Sequence, residues 1–337
     1  MPSRLPAAAA PVLVTGASGF VGRQIVQTLC SSGAHVRALV RRVPEQDFDP
    51  SVEVTIGDLT QPETYAPALE GVSAVVHAAL TGDLSGEPRA TATLFSLSAG
   101  AGVRKFVHLS SIAIYGNPPS EIVTEETAPV PSSDPYSRTK LAIEEALRAT
   151  STDLEIAVLR LGCVYGPGGG WWTEGLLNQM RRGQLILVNR GTGIANLVHV
   201  SDVGLVVALV LRHCGAPYEV FNVTDGSPVP WSRYAAELEK MVGKKATVSM
   251  SAAEAREHGG KWLRPSLARR VMRKITGGPI IYPLDERGIE NFASRAVYSN
   301  IKAATVLRFS PEYDLEKGMR TVHSPQPGRQ TSVLAAQ

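Results

Sequence analysis

Val12-Leu13-Val14-Thr15-Gly16-Ala17-Ser18-Gly19-Phe20-Val21-Gly22 is the stretch that decides the fold of this chain. Three apolar residues, two of them β-branched, read as a short buried strand. A glycine turn follows, and a helical pattern opens and runs from Gly22 to Ser32. Gly16 permits the tight turn, Gly19 lets a phosphate approach the backbone, and Gly22 lets the helix lie close to the strand. The start of that helix offers unpaired N–H groups and the positive end of its dipole. Strand, glycine turn and helix in this order make a cradle for a pyrophosphate. Gly16, Ser18, Gly19, Phe20, Val21 and Gly22 are expected to form it.

Outward from the cradle, short β-branched runs alternate with helical stretches. His35 to Val40, Val52 to Ile56, Ala74 to His77 and Lys105 to Leu109 read as strands, and Glu155 to Leu161 and Glu219 to Val223 as later ones. Such alternation predicts βαβ units. The expected fold class is therefore α/β, a doubly wound parallel Rossmann-type sheet with a smaller C-terminal substrate lobe. Residues 12–165, with returning segments at about 196–224, are assigned to the dinucleotide-binding domain. Residues 166–195 and 225–323 are assigned to the substrate-binding lobe, with a flexible tail at 1–11 and a disordered one at 324–337.

Composition narrows the function classes. The 337 residues carry a formal net charge of +3, and basic residues are mostly dispersed, so a nucleic-acid partner is not expected. Cys30, Cys163 and Cys214 are far apart, without Cys-x-x-Cys spacing, which argues against a disulfide framework and a cysteine metal site. No metal is expected. No apolar run reaches the roughly 18 residues that would span a bilayer, and no secretory signal is evident, so a cytoplasmic location is expected.

The chemistry is carried by Tyr136 and Lys140. Four residues apart, they share one face of a helix that Asp134 can cap, with Pro135 at its first position. A free tyrosine is too basic for proton transfer near neutral pH, and a nearby ammonium lowers its pKa. The pair follows the strand Lys105 to Leu109 and the stretch Ser110-Ser111-Ile112-Ala113-Ile114-Tyr115-Gly116.

With the Gly-x-x-Gly-x-x-Gly cradle, these residues resemble the short-chain dehydrogenase/reductase superfamily, in its extended branch of epimerases, dehydratases and reductases. The resemblance runs from Val12 to about Val322. It implies Ser111, Tyr136 and Lys140 as the catalytic trio. Ser111 would hydrogen-bond the substrate oxygen, and Lys140 would also hold the nicotinamide ribose. Asp58-Leu59 matches the family's adenine contact, and Ala78-Ala79 its segment beside the cofactor phosphates and ribose. Val164 lies in the segment running past the nicotinamide. At the end of the second strand, where NAD-binding members carry an acid, stand Arg41 and Arg42. Guanidinium groups pair with a 2′-phosphate that a carboxylate would repel, so NADP is favoured over NAD.

Departures from the family prune the reactions. The 4,6-dehydratases carry Thr-Asp-Glu where this chain has Ser111-Ile112-Ala113, and no carboxylate pair remains for water loss. Epimerases that invert beside a ketone place a cysteine where Ala113 stands. Two diphosphate anchors of 4-epimerases are replaced by Cys163 and Ala195, although Arg190, Arg295 or Asn196 could compensate. Ala113, Cys163 and Asn196 are candidate substrate contacts. The segment that usually reads Asn-x-x-Gly-Thr keeps only Thr91 of Glu87 to Thr91.

The expected function is NAD(P)-dependent hydride transfer between nicotinamide and a carbonyl or secondary alcohol of a small, lipophilic substrate. A nucleotide-sugar 4-epimerase with tightly bound NAD is the alternative, and a non-catalytic dinucleotide sensor the second. The resemblance implies a homodimer. The basic run Lys261 to Lys274 reads as an amphipathic helix, solvated or in contact with an anionic substrate or a membrane surface.

Overall fold

The computed structural model describes residues 10–44, 48–118, 121–130, 133–150, 153–262 and 280–323. The tail at 324–337, most of the tail at 1–11 and the basic run beyond residue 262 lie outside the described residues. Ala10 and Pro11, read as tail, are tied down: their carbonyls accept hydrogen bonds from Ser73.

In the first half of the chain the elements are β1 (Val12–Thr15), α1 (Phe20–Ser31), β2 (Val36–Val40), β3 (Glu53–Ile56), α2 (Pro62–Tyr65), β4 (Ala74–His77), α3 (Glu87–Gly100), β5 (Lys105–Ser111), β6 (Ile122–Val123), α4 (Pro135–Ala149), β7 (Glu155–Leu161) and β8 (Cys163–Tyr165). The second half adds α5 (Leu176–Arg182), β9 (Gly183–Val188), β10 (Leu197–His199), α6 (Val200–Arg212), β11 (Tyr218–Val223), α7 (Trp231–Val242), β12 (Thr247–Met250) and α8 (Ala252–Trp262). Then come β13 (Ile280–Ile281), α9 (Glu286–Ala293), β14 (Val297–Tyr298), α10 (Ile301–Val306) and α11 (Leu315–His323).

Seven of these strands form one parallel sheet in the order β11-β7-β5-β4-β1-β2-β3. Helices cover both faces of the central strands, which is why β1 and β4 are buried along their whole length, whereas the edge strand β3 stays largely exposed. Side chains still alternate between faces. Val12 and Val14 pack with Ile25, Leu29 and Val207 under α1 and α6, while Leu13 packs with Leu39, Leu94, Phe106 and Ile143 under α3 and α4. Each such fully buried aliphatic side chain contributes about 1.5–3 kcal/mol. The connections reverse direction at β1, which has β2 on one side and β4 on the other, and this opens a crevice beyond the strands' carboxyl ends.

A second apolar cluster lies over those ends. It joins Cys163 and Tyr165 of β8 to Leu177, Met180, Ile186, Trp231, Tyr234, Leu238 and Phe292, around the parallel strands β12-β9-β13. Here residues 170–182 are helical throughout, wound as a π-helix over Gly170–Gly175 and then as α5. Trp171 folds back over Gly175, where any Cβ would meet its ring at 2.9 Å, so local packing displaces regular helix. His199 ends β10 and its ring Nδ1 caps α6 by accepting from the Ser201 amide.

Candidate active site

The cradle takes the form its sequence requires. Gly16 has φ +66°, and a Cβ on it would lie 2.7 Å from the Ala79 backbone. A Cβ on Gly22 would collide with the Gly16 carbonyl, so α1 can approach β1 only without one. Gly19 brings no side chain to cap α1, and the first turn carries no acid, which leaves the helix start open to an anion. Beside it lies a crevice of about 190 Å³ lined by Gly16, Ser18, Gly19, Arg41, Asp58, Leu59, Ala78 and Ala79 among others. A glycine cradle, an open helix start and a crevice across the β1/β4 reversal fit a dinucleotide. Arg41 borders the crevice and Arg42 does not. Phe20 and Gly22 also lie outside its lining, Gly22 serving as the buried contact between α1 and the turn.

Ala78 and Leu80 line this crevice and also a larger cavity of about 280 Å³, so the two adjoin. Ser111, Ala113, Tyr136, Lys140, Cys163, Val164 and Asn196 all border the larger cavity, with Val21. Ser111 stands at the end of β5, where its hydroxyl accepts from the Ala113 amide at 3.2 Å. Asp134 caps α4 as expected, taking the Ser137 amide and hydroxyl at 2.8 and 2.6 Å, with Pro135 at the first position. Tyr136 and Lys140 follow on one face of that helix.

The charges differ from the sequence expectation in one respect. Lys140 is buried and donates to the Leu109 carbonyl at 2.9 Å. Burial pulls its ammonium down to about 8, while Glu87 and Glu144 hold it up. Burial also raises the Tyr136 phenol; a hydrogen bond with Ser111 and the Arg287 guanidinium oppose that. The tuning cation expected at Tyr136 was Lys140. Arg287 of α9 is the one whose guanidinium carbon stands 4.6 Å from the Tyr136 ring centroid.

Buried polar groups hold this frame. Glu144 pairs with Arg160 at 2.7 Å and accepts from Ser110 at 2.5 Å, so the Ser110 hydroxyl is spent on Glu144 although both serines border the cavity. Arg160 donates to the Tyr115 hydroxyl at 2.6 Å, and that hydroxyl donates to Asn222 at 2.8 Å. The altered segment is tied in too. Thr91 bonds His77 at 3.0 Å, and His77 bonds Thr15 at 2.8 Å. One carboxylate oxygen of Glu87 accepts from Thr81, while the other is buried without a partner.

Among the candidate substrate contacts, Cys163 is buried, and burial drives its thiol up to about 12, an inert state. Asn196 spends its amide on backbone: it donates to Ile194 and Ala296 and accepts from Tyr298. Neither Arg190 nor Arg295 lines the larger cavity, whereas Trp172, Arg287, Glu290, Asn291 and Tyr298 do. Sequence reasoning missed these five. The only signal was that Arg287 and Glu290, three residues apart, share a helix face. Neither His199 nor Asp202 lines the larger cavity. His199 also bonds Thr321 at 3.0 Å, and Asp202 accepts the amides of Glu312 and Tyr313 at 2.8 and 3.2 Å.

Comparison with known proteins agrees with this geometry. Residues 12–224 match the family described as NAD dependent epimerase/dehydratase. The chain belongs to that family. This epimerase/dehydratase-family protein is 32% identical over 266 residues to a 3-diazoavenalumate denitrifying reductase from a Streptomyces species, covering 72% of this chain and 84% of the relative. It is 24% identical over 337 residues to a 3 beta-hydroxysteroid dehydrogenase/Delta 5-->4-isomerase of Mycobacterium tuberculosis, covering 91% and 88%. The solved structure of MoeE5 in complex with UDP-glucuronic acid and NAD superposes with a TM-score of 0.70 at 25% identity, covering 92% of this chain and 97% of that one. The protein is an NAD(P)-dependent enzyme of the extended short-chain dehydrogenase/reductase superfamily. Among the described residues, no helix is long and apolar enough to cross a membrane.

Proposed function

We propose that the protein catalyses reversible reduction of a ketone or aldehyde on a small, largely apolar substrate. The observation that carries this reading is the convergence of Ser111, Tyr136 and Lys140 on one cavity that adjoins the dinucleotide crevice. When bound, the nicotinamide supplies or accepts the hydride. Ser111 donates a hydrogen bond to the substrate oxygen as charge grows there. Tyr136 gives its phenolic proton to that oxygen in reduction and takes it back in oxidation. Lys140, buried on α4 and bordering the same cavity, would hold the ribose hydroxyls of the cofactor. Leu161, Ile112, Ala113 and Trp172 of the wall favour a lipophilic substrate, in keeping with the steroid-acting relative.

The exposed Arg41 at the crevice favours NADP, because its guanidinium would meet a 2′-phosphate. Arg42 is not part of that argument. The nucleotide-sugar 4-epimerase remains the second reading, favoured by the likeness to MoeE5. Against it, Cys163 and Ala195 offer no donors for a diphosphate, and Asn196 is already satisfied. The deciding experiment assays ketones, hydroxysteroids and UDP- or dTDP-sugars with NADPH and NADH, following the absorbance of the reduced nicotinamide. Consumption of added NADPH with an apolar ketone is the expected result. Sugar inversion without added cofactor, and NAD recovered from the purified protein, would establish the epimerase instead.

A further inference from the structure

Arg287 enters the catalytic cavity from α9, far along the chain from the residues it meets. Its guanidinium lies over the face of Tyr136. A cation there is attracted by the ring's negative face, and more strongly once the ring carries a phenolate charge. The arginine is tethered from below. Its Nη1 lies 3.4 and 3.5 Å from the two carboxylate oxygens of Asp134, the residue that caps α4 two positions before Tyr136. One of those oxygens also accepts from Ser137, and both contacts to Arg287 are long, so the ion pair is a loose tether.

We propose that Arg287 is a positioning residue that stabilises the Tyr136 phenolate during proton transfer, with Asp134 as its tether. The inference rests on the reading of Tyr136 as proton donor and acceptor. It gives α9 a part in the chemistry: the lobe that shapes the substrate cavity also supplies the cation. Lys140 is placed for a different task, with its ammonium held at the Leu109 carbonyl.

The groups facing Tyr136 come from four elements. Ser111 lies on β5, Asp134 caps α4 and Lys140 lies within it, Cys163 is on β8, and Arg287 and Glu290 are on α9. Burial raises the phenol most; the Ser111 hydrogen bond and Arg287 lower it, and Asp134 and Cys163 raise it slightly. Cys163 stays a thiol through the working range. An arginine keeps its charge at any pH the enzyme meets. Removing it therefore leaves the phenol more basic.

The test is the pH profile of kcat/KM for alcohol oxidation in wild type, Arg287→Lys, Arg287→Met, Arg287→Gln and Tyr136→Phe. The expected result is a rising limb displaced upward by about one pH unit in Arg287→Met and Arg287→Gln. That is roughly a tenfold loss at low pH which closes at high pH, with Arg287→Lys in between. Tyrosinate absorbance titrated without cofactor, with the Tyr136→Phe spectrum subtracted, should show the same displacement. Profiles superimposable on wild type, or a loss equal at every pH, would overturn the inference. Full turnover in Tyr136→Phe would instead sink the underlying reading.

Discussion

The dinucleotide crevice and the substrate cavity adjoin at Ala78 and Leu80 but are built in opposite ways. The crevice comes from loops after β1, β2, β3 and β4, all before residue 82, and backbone shape does most of its work. Its decisive features are missing side chains at Gly16, Gly19 and Gly22. The cavity gathers side chains from β5, α4, β8, the turn before α5, and α9. One site is a local motif. The other is an assembly across the chain, and the two should respond to mutation differently.

Tyr136→Phe should give the largest effect, about a 10²–10⁴-fold fall in kcat with dinucleotide binding intact. Steady-state rates beside cofactor fluorescence titration would check this, and a matching loss of binding would break the division between the two regions. Gly22→Ala should damage both. The added methyl has no room against the Gly16 carbonyl, so α1 must shift, at about 1–3 kcal/mol of stability. Denaturant unfolding should show the destabilisation, and cofactor titration a weakened crevice.

Glu87→Gln probes the buried carboxylate that helps keep Lys140 protonated. Removing that charge lets the ammonium fall below about 8, so Lys140 is neutral more often at pH 8 than at pH 6. The expected loss in kcat/KM is about tenfold at pH 8 and smaller at pH 6. An equal loss at both values would mean that Glu87 acts through packing alone. Arg41→Ala should be milder and confined to the crevice, raising KM for NADPH about fivefold and sparing NADH, because an exposed cation is screened.

The smallest effect concerns a carboxylate beyond both regions. Burial raises Asp225 to about 7, with Asp202 and Asp314 adding repulsion. Its folded pKa exceeds its unfolded value of roughly 4, so its contribution to stability is present in acid and lost as pH rises through 7. Asp225→Asn should therefore raise Tm by about 2 °C at pH 8 and leave it nearly unchanged at pH 4, by calorimetry.

The residues read from the sequence divide along the same line. The parallel sheet, the cradle, the α4 cap and the positions of Ser111, Tyr136 and Lys140 were all legible. The wide π winding of the helix over Gly170–Gly175 was not, because Trp171 packs against Gly175 there. Asn196 and Cys163, read as substrate contacts, both border the cavity, but the sequence did not show that Asn196 bonds three backbone groups or that burial raises the Cys163 thiol. Residue type showed that they could bind, not whether their bonding capacity was already spent.

By itself, then, the sequence determined what depends on neighbours within a few turns. Strand periodicity, glycine backbone freedom and four-residue helical spacing are local consequences of covalent geometry. Only the tertiary structure decided which charge stands beside Tyr136. It set Lys140 on the Leu109 carbonyl and brought Arg287 over the phenol ring. Electrostatic partnership depends on distance and burial, and these are known only once remote segments of the chain have packed.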